Sequence, residues 1–245
     1  MTDFLIDLGN TSCKVAFEES GSLKRIYRSK YMEDTESFIL SFLEETRPDI
    51  IVFSNVREEK PELEKKLAER CRKLVVLDYR TGLSMGVKYR FPAEGLGADR
   101  IAGAIGALTL FPGKDIIKFD FGTALTVDFI SGDAVIEGGN ISLGLTTRFR
   151  ALNAFAKRLP LIKPVEDIPE MGIDTGSALT CGVVFGLMFE VAEYMRRYPG
   201  RLAIFTGGDS FYFAKKMKKN AIFVAPNLVL MGLAQIAKYY AEKQN

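Results

Sequence analysis

Histidine is absent from the sequence. Its absence removes the commonest general base of enzymes, the Ser-His and Cys-His nucleophile pairs, and the usual nitrogen ligand of zinc and iron sites. Any general base must therefore be Asp, Glu, Lys, Tyr or Cys. The motif G-x-x-x-x-G-K-[ST] is absent as well, which excludes a P-loop.

Cysteines are few and long apolar runs are lacking. Cys13, Cys71 and Cys181 lie far apart in the sequence, which gives neither a disulfide framework nor the close spacing of a zinc site. The N-terminus has no basic start and no small-residue cleavage site, and no stretch reaches the roughly 18 apolar residues that span a bilayer. These absences predict a soluble protein of the reducing cytoplasm, without a membrane partner.

The sequence also lacks an excess of charge of either sign. Lys and Arg total 33 against 31 for Asp and Glu, a net charge of +2 that offers no strong field to nucleic acid or acidic membranes. We therefore expect no nucleic-acid partner. The chain does have apolar material, because 47% of its 245 residues are hydrophobic, enough for one large domain or two ordinary ones.

Strand and helix patterns alternate along the chain. Strands are predicted at FLIDLG, KVAFEES, LKRIYRSKY, DIIVFSNV and LVVLD, with a turn at residues 20–22. Helices are predicted at DTESFILSFLEETR, capped by Asp34 or Thr35, at KPELEKKLAERCRK and at GADRIAGAIGALTLF. Further helices are predicted at RFRALNAFAKRLP, CGVVFGLMFEVAEYMRRY and NLVLMGLAQIAKYYAEK, whose Met and aromatic residues would form core or a subunit interface. The alternation predicts an α/β fold with a mixed sheet flanked by helices.

The second half of the chain repeats the plan of the first. FLIDLGNTSCKVAFEESGSLKRI and IIKFDFGTALTVDFISGDAVIEGG share the order strand, Asp-x-Gly turn, strand, glycine turn and strand, and aligning Asp7 with Asp120 gives an offset close to half the chain. Ser54 and Thr206 end similar strands, but Thr206 follows its aspartate at a greater distance. An insertion of roughly 40 residues is therefore predicted in the second half, within 141–185. The sequence thus predicts two related lobes, 1–113 and 114–245, with the ligand site in the cleft between them.

The two Asp-Gly turns suit phosphate chemistry. In Asp-x-Gly-Asn-Thr, glycine lets a ligand approach the backbone, exposed amides and the Thr11 hydroxyl can bind phosphate oxygens, and Lys14 adds charge. Asp7 suits a magnesium ion held through water better than it suits phosphate itself. The second turn, DFGTALTVD from Asp120 to Asp128, could hold a triphosphate from the other side. The alternative is an ordinary β-hairpin, in which Asp7 bonds turn amides.

The stretch LGADR at 96–100 joins a loop to a helix of small residues. Asp99 can be a helix cap and Arg100 a surface charge. Alternatively, Asp99 accepts a hydroxyl proton and Arg100 binds a carboxylate, a pair that works without histidine. The glycine turns EGGNISLG at 137–144 and TGGD at 206–209 could approach a nucleotide closely, although each alone is more often a plain turn.

In their order and spacing, DLGNTSCK, GADR, DFGTALTVD, EGGNISLG, DT at 174–175 and TGGD resemble the type III pantothenate kinases, over nearly the whole chain. That family belongs to the acetate and sugar kinase, heat-shock ATPase and actin superfamily. The resemblance therefore implies duplicated actin-like (ribonuclease H-like) lobes with a nucleotide cleft between them. It also implies ATP-dependent phosphorylation of the primary hydroxyl of pantothenate, the first step of coenzyme A synthesis.

The resemblance further implies a role for each motif residue. ATP phosphates and magnesium would be held by the turn of Asp7, Leu8, Gly9, Asn10, Thr11, Ser12, Cys13 and Lys14, and ATP would also contact Thr123. Asp120 would bind a monovalent cation, potassium or ammonium, and Asp99 would be the catalytic base. Pantothenate would contact Tyr89, Gly97, Ala98, Asp99, Arg100 and Thr175, the last supplied by the second subunit of a homodimer whose interface includes the insertion. Leu143 stands where the family usually has proline, which implies a less rigid or differently shaped turn there.

Two other functions are compatible with this fold. A kinase or phosphatase of the same fold could act on a sugar, an acetate-like acid or water, although GADR together with Tyr89 argues against another acceptor. A non-catalytic regulator could also keep the nucleotide-binding turns, and the intact Asp7, Asp99 and Asp120 oppose that interpretation.

Overall fold

Strands and helices alternate along the chain, as the sequence pattern predicts. The computed structural model describes residues 2–19, 22–29, 34–217 and 222–243, so part of the turn predicted at residues 20–22 lies outside the described residues. The chain begins with β1 (Thr2–Leu8), β2 (Cys13–Glu19), β3 (Ser22–Ser29), α1 (Thr35–Ser41), β4 (Ile50–Asn55), α2 (Pro61–Ala68), β5 (Lys73–Val76), α3 (Tyr79–Ser84), β6 (Lys88–Tyr89) and α4 (Ala98–Leu110). It continues with β7 (Ile116–Phe121), β8 (Ala124–Ile130), β9 (Val135–Leu143), α5 (Leu145–Phe155), α6 (Thr175–Arg197), β10 (Leu202–Thr206), α7 (Ser210–Met217), β11 (Ile222–Val224) and α8 (Leu228–Glu242).

These elements form two compact units. The first unit comprises Met1–Gly113, Gly132–Glu137 and Asn227–Asn245, and the second comprises Lys114–Ser131 and Gly138–Pro226. The chain therefore returns to the first unit twice, once from the loop after β8 into the start of β9 and once at its C-terminal helix.

The sheet of the first unit has the strand order β3-β2-β1-β4-β5. β1 pairs antiparallel with β2 and parallel with β4, and β4 pairs parallel with β5. The central strands β1 and β4 are strongly apolar, and Phe4, Ile6 and Phe53 are fully buried, as expected where both faces of a sheet are covered. The carboxyl ends of β1 and β4 therefore meet at one edge of this sheet, beside the first Asp-Gly turn.

The second unit repeats this topology. Its strand order is β9-β8-β7-β10-β11, with β7 antiparallel to β8 and parallel to β10, and β10 parallel to β11. Asp7 lies opposite Ser54 in the first sheet, as Asp120 lies opposite Thr206 in the second. The short strand β6 pairs with residues 135–136 of β9, which belong to the first unit. The duplication predicted from the sequence is confirmed.

The extra length of the second unit lies between β9 and β10. The long segment 144–201 separates these two strands and includes α5 and α6, whereas the shorter segment 30–49 separates β3 from β4. Among the described helices, α6 alone is long and apolar enough to span a membrane by length and composition, with 33% of its most apolar window buried. The expectation that no stretch reaches this length is therefore wrong for α6, although helices of protein cores meet the same criterion.

The C-terminal helix α8 packs against α4 in the first unit, whereas the sequence places this segment in the second lobe. A methyl group on Gly106 would lie 2.5 Å from the carbonyl oxygen of Leu228, and one on Gly232 would lie 1.8 Å from the carbonyl oxygen of Ala102. The two helix backbones therefore touch directly at this crossing, closer than larger side chains would permit.

A buried ion pair distinguishes the second hairpin from the first. Lys118 of β7 and Asp128 of β8 are cross-strand partners, their Nζ and Oδ2 atoms lie 2.8 Å apart, and each side chain is 1% exposed. The equivalent cross-strand pair of the first unit is Leu5 and Ala16, both fully buried. Removing a charge from water costs on the order of several kcal/mol per ion before the attraction is counted. The two units therefore fill the same position with different chemistry.

Candidate functional site

The first Asp-Gly turn, at residues 9–12, joins β1 to β2. The amide of Gly9 donates to the carbonyl of Ser12 at 3.0 Å, and Asn10 and Thr11 at the tip are exposed. The turn therefore has accessible backbone and an accessible hydroxyl, the two features that phosphate binding at a turn requires.

Three polar residues lie beside this turn at neighbouring strand ends. Asp7 of β1 is opposite Lys14 of β2 and Ser54 of β4, and opposite residues of paired strands project from the same face. Ser54 is fully buried, and its hydroxyl has no hydrogen-bond partner within the part of the chain that the structure describes. A buried hydroxyl without a partner costs about 1–3 kcal/mol, so this position favours water or a polar ligand next to Asp7. Such a polar position fits a magnesium ion held through water.

Leu8 and Cys13 at the base of the turn belong to the core. Leu8 is 1% exposed and Cys13 is fully buried. Burial, with the nearby Asp7 carboxylate second, raises the pKa of the Cys13 thiol to about 12. Cys13 therefore stays a neutral thiol, and both residues can serve a ligand only through their backbone atoms.

Arg57 contacts this turn from another part of the chain, and no sequence motif indicated the contact. It lies two residues after β4, and its guanidinium donates to the Gly9 carbonyl from Nε at 2.8 Å and to the Asn10 carbonyl from Nη2 at 3.1 Å. The side-chain carbonyl of Asn55 accepts the amide of Arg57 at 2.9 Å, which fixes the approach. An arginine directly after a predicted buried strand was the one signal for this contact.

The GADR motif opens α4. Gly97 is its N-cap residue and Ala98 is buried. Oδ1 of Asp99 accepts the amide of Arg100 at 2.8 Å. A methyl group on Gly97 would lie 3.8 Å from Val56 Cγ1, which places the start of α4 beside the residue that follows β4. Asp99 is therefore not the cap of α4 but stands in its first turn, near the end of β4. This position favours a carboxylate through the helix dipole and fits proton acceptance.

Tyr89 of β6 lies close to the same helix. Its hydroxyl donates to the carbonyl of Tyr79 at 3.1 Å. Burial, with the Asp78 carboxylate second, raises the pKa of Tyr89 to about 12. A methyl group on Gly82 would lie 2.1 Å from the Tyr89 hydroxyl and 3.4 Å from Ile101 Cγ2. The Tyr89 ring is therefore packed against α3 near the first turn of α4, with its neutral hydroxyl held by the backbone.

The second Asp-Gly turn joins β7 to β8. The amide of Gly122 donates to the carbonyl of Ala124 at 3.0 Å, and Gly122 and Thr123 are exposed. The TGGD turn packs against it, because Gly207 has φ +88° and a methyl group there would lie 2.4 Å from Oδ1 of Asp120. Both the positive φ and the close approach require glycine. The TGGD turn, a weak signal in the sequence, is therefore part of the surroundings of Asp120.

The EGGNISLG turn also reaches this position. The amide of Gly144 donates to the carbonyl of Thr123 at 3.0 Å, and the same carbonyl accepts the hydroxyl of Thr147 at 2.6 Å. A methyl group on Gly144 would lie 2.0 Å from the carbonyl oxygen of Gly122, so a larger residue cannot fit without moving the turn. Three glycine turns of the second unit therefore meet around Asp120 and Thr123.

Leu143, which replaces the proline expected from the resemblance, ends β9 and precedes this contact. Its carbonyl accepts Nε of Arg148 at 2.8 Å. Arg148 also pairs with Glu190 of α6, and the hydroxyl of Ser142 donates to the same carboxylate at 2.7 Å. The turn is therefore anchored to α5 and α6 by side chains rather than by a proline ring.

The oxygen atoms around Asp120 suit a hard cation. Thr126 of β8 and Thr206 of β10 both lie opposite Asp120 in the sheet. The Thr126 hydroxyl is buried and makes no hydrogen bond to any described residue. No group of three His, Cys, Asp or Glu side chains that could hold a metal occurs in the described ranges. A cation here would be bound by one carboxylate with hydroxyl, carbonyl and water oxygens, which is not a zinc-type site.

Thr175 is the first residue of α6. The helix begins with a capping box in which Oδ1 of Asp174 accepts the backbone amide of Ser177 at 2.9 Å. Hydrogen bonds from the backbone and the side chain of Ser177 lower the pKa of Asp174. Thr175 is exposed and lines an apolar groove of about 790 Å³ between α5 and α6. The groove is also lined by Leu152, Phe155, Leu159, Leu179 and Val183.

The predicted site residues divide between the two units. Residues 7–14, Tyr89 and residues 97–100 lie in the first unit, whereas Asp120, Thr123 and Thr175 lie in the second. In the first unit, the turn and the start of α4 both lie at the carboxyl ends of β1 and β4. In the second unit, Asp120 and Thr123 share the meeting point of the glycine turns.

Solved structures define the class of this fold. A Baf family transcriptional activator from Campylobacter jejuni matches with a TM-score of 0.66 at 22% identity, covering 98% of this chain and 99% of its own. The activator of 2-hydroxyisocaproyl-CoA dehydratase from Clostridium difficile, with bound ADPNP, matches at 0.60 and 12% identity, covering 100% and 97%. MreB 5 of Spiroplasma citri, bound to AMPPNP, matches at 0.56 and 10% identity, covering 99% and 98%. At these identities the likeness shows the fold alone, that of the actin-like ATPases with duplicated lobes.

Sequence comparison identifies the family. The sequence model of the type III pantothenate kinases matches residues 4–197. A type III pantothenate kinase from Cytophaga hutchinsonii is 34% identical over 241 residues, covering 97% of this chain and 99% of the relative. One from Porphyromonas gingivalis is 36% identical over 245 residues, covering 97% and 98%. The chain belongs to the type III pantothenate kinase family.

Proposed function

We propose that the protein transfers a phosphoryl group from ATP to the primary hydroxyl of pantothenate, giving 4'-phosphopantothenate in the first step of coenzyme A synthesis. Membership of the type III pantothenate kinase family carries this proposal, since the match extends over residues 4–197 and relatives align with 97% of the chain. Phosphoryl transfer chiefly needs positioning and neutralisation of charge, so the absence of histidine is no obstacle.

ATP phosphates would bind the first turn through the amides of the exposed residues Asn10 and Thr11, the Thr11 hydroxyl and the Lys14 ammonium. Asp7 would hold magnesium through water, and the buried Ser54 hydroxyl beside it supports a hydrated position. Magnesium bound there would neutralise phosphate charge. Thr123, exposed in the second turn, would make a further contact with ATP.

Pantothenate would bind near the start of α4. Asp99 would be the catalytic base, and because its Oδ1 accepts the Arg100 amide, the hydroxyl proton would be received at Oδ2. The Arg100 guanidinium would bind the substrate carboxylate, for which its fork of donors is suited. Gly97 and Ala98 would contact pantothenate through their backbone, with Tyr89 from β6 and, from the second subunit of the dimer, Thr175 of α6 as further contacts.

A coupled assay of ADP release with ATP, magnesium and potassium tests the reaction. Pantothenate should stimulate ADP release, a panel of hydroxylated acids and sugars should not, and mass spectrometry should find 4'-phosphopantothenate. Stimulation by another acceptor and not by pantothenate would refute the assignment. Asp99→Asn should abolish turnover and leave ATP binding largely intact, whereas Asp133→Asn, which changes an exposed carboxylate, should leave both unchanged.

We propose that Asp120 binds the monovalent cation, potassium or ammonium. The buried Thr126 hydroxyl and the glycine turns around Asp120 support this assignment. Replacing potassium by sodium should then lower the rate, and Asp120→Asn should remove the difference between the two salts. An equal rate of the wild type in potassium and sodium would count against a specific cation site.

We also propose a cytoplasmic homodimer that uses the insertion as its interface. Phe155 of α5, within the insertion, is 91% exposed, and Phe189, where α6 continues beyond the insertion, is 69% exposed. Exposed apolar surface of this kind marks an interface. Light scattering should give a dimer mass for the wild type and a monomer for Phe155→Ser with Phe189→Ser. Phe211→Ser on α7 is the matched control, because this phenylalanine is 63% exposed but lies on neither α5 nor α6. A monomeric wild type would refute the proposal.

The cytoplasmic location is supported by the three cysteines, which are buried free thiols, in keeping with a reducing compartment.

A further inference from the structure

We infer that Arg57 is a positioning residue of the phosphate turn, which orients the two peptide groups whose amides face an ATP phosphate. Arg57 has this role only if the first turn binds ATP, as proposed above. In this role Arg57 does not need to contact ATP or pantothenate itself. It acts through its hydrogen bonds to the backbone carbonyls of Gly9 and Asn10.

Arg57 binds both carbonyls at the tip of the turn. The Gly9 carbonyl accepts from Nε at 2.8 Å and from Nη2 at 2.5 Å, and the Asn10 carbonyl accepts from Nη2 at 3.1 Å. The Gly9 carbonyl shares one planar peptide group with the Asn10 amide, and the Asn10 carbonyl shares the next with the Thr11 amide. The described peptide bonds include no cis bond, and in a trans peptide group the carbonyl and the N–H point in opposite directions.

Fixing these carbonyls toward Arg57 therefore aims the amides of residues 10 and 11 away from it. Asn10 and Thr11 are the exposed residues of the turn, so their amides are directed to the accessible side. A peptide group that flipped would present a carbonyl oxygen to the phosphate, which repels it. Glycine and asparagine adopt positive φ more readily than most residues, so a turn containing both needs a restraint against such flips.

The backbone that carries Arg57 is held in place by Asn55, the last residue of β4. The side-chain carbonyl of Asn55 accepts the Arg57 amide at 2.9 Å, and the Asn55 side-chain amide donates to the carbonyl of Glu58 at 2.9 Å. Guanidinium is also permanently charged and presents a rigid fork of donors, which an ammonium does not. Arg57 can therefore hold two successive carbonyls in one geometry.

The test measures nucleotide binding directly. Calorimetry gives the Kd for magnesium and AMPPNP, and steady-state kinetics give kcat and both KM values. We expect Arg57→Ala to raise the nucleotide Kd roughly 10- to 100-fold, the effect of losing charge-assisted hydrogen bonds that hold a site, with little change in the pantothenate KM. Arg57→Lys keeps the charge without the fork and should recover only part of this loss. Low millimolar guanidinium chloride, far below denaturing levels, should partly restore nucleotide affinity to Arg57→Ala.

Arg72→Ala is the matched control. Arg72 forms an exposed ion pair with Asp49, which precedes β4, with 3.2 Å between Nη1 and Oδ1. Its loss should leave the nucleotide Kd unchanged and insensitive to guanidinium.

Several outcomes would overturn the inference. These are a nucleotide Kd of Arg57→Ala within about threefold of the wild type, full recovery by Arg57→Lys, or no rescue by guanidinium. If Arg57→Ala does not fold, the nucleotide Kd of Arg57→Lys decides alone, since wild-type affinity would exclude a need for the fork. A wild type that binds nucleotide but does not phosphorylate pantothenate would refute the proposed function and leave the Arg57 experiment valid.

Discussion

Replacing Lys118 by leucine would leave the carboxylate of Asp128 buried without its cation. The two side chains are 1% exposed and 2.8 Å apart, and breaking such a pair from one side costs about 3–5 kcal/mol. The double replacement Lys118→Leu with Asp128→Ala introduces the residues that Leu5 and Ala16 provide at the equivalent position of the first unit. Apolar replacement of a whole buried ion pair is often neutral or stabilising by about 1–4 kcal/mol.

The effect is measured by urea and thermal unfolding of four proteins: the wild type, Lys118→Leu, Asp128→Ala and the double variant. For a chain of this size, 1 kcal/mol shifts Tm by about 2–4 °C, so Lys118→Leu should lower Tm by roughly 6–20 °C. The double variant should recover most of that loss. Lys215→Leu is the control, because the ion pair of Lys215 with Glu166 is 75% and 65% exposed, and a surface pair contributes about 0–1 kcal/mol. A loss below about 1 kcal/mol for Lys118→Leu, or a double variant no better than the single variants, would refute the reasoning.

Two further predictions concern buried positions. Asp3 is 5% exposed, and burial raises its pKa to about 6, above the unfolded value near 3.9, so the folded state holds the proton more tightly. The free energy of unfolding should therefore fall by up to about 3 kcal/mol between about pH 4 and 6 and then level off, and Asp3→Asn should remove this fall in urea titrations. Gly144→Ala should cost about 1–3 kcal/mol and weaken ATP binding, because the added methyl would meet the Gly122 carbonyl at 2.0 Å. Gly182→Ala, where a methyl would meet nothing within 4 Å among the described residues, should do neither, and an equal effect of the two variants would exclude this cause.

Features encoded in local sequence could be predicted. The apolar strands, the repeated Asp-Gly turns and the equivalence of Ser54 with Thr206 follow from patterns a few residues long, and the paired sheets agree with them. The N-cap role of Asp34 is confirmed by its hydrogen bond from the Ser37 amide at 3.2 Å.

Elements set by tertiary contacts could not be predicted. The pattern extends α1 to Arg47, but the helix ends at Ser41, and Phe42 packs against the rings of Phe4 and Tyr27 instead. Helix α3 has no apolar period, and its one local signal was Asp78, which accepts the amide of Thr81 at 3.1 Å.

Contacts between distant segments were equally hidden. Arg57 reaches Gly9 from a strand end far along the chain, and Gly144 meets Thr123 only after β8 and β9 have paired beside β7. A short motif does not indicate contacts between segments that are far apart in the sequence. The residues that shape the turns were therefore identified only in the structure.

The packing of α8 on α4 sets an order for the synthesis of the protein. Helix α4 ends at Leu110 and α8 begins at Leu228, so the whole segment 111–227 must be translated between them. At about 5–20 residues per second, this takes roughly 6–23 s, during which the apolar face of α4 lacks its covering helix on the nascent chain. The unit that leaves the ribosome first is therefore completed last. A premature stop just before Asn227 would remove α8 and leave that unit open, a state that chaperones and proteases recognise.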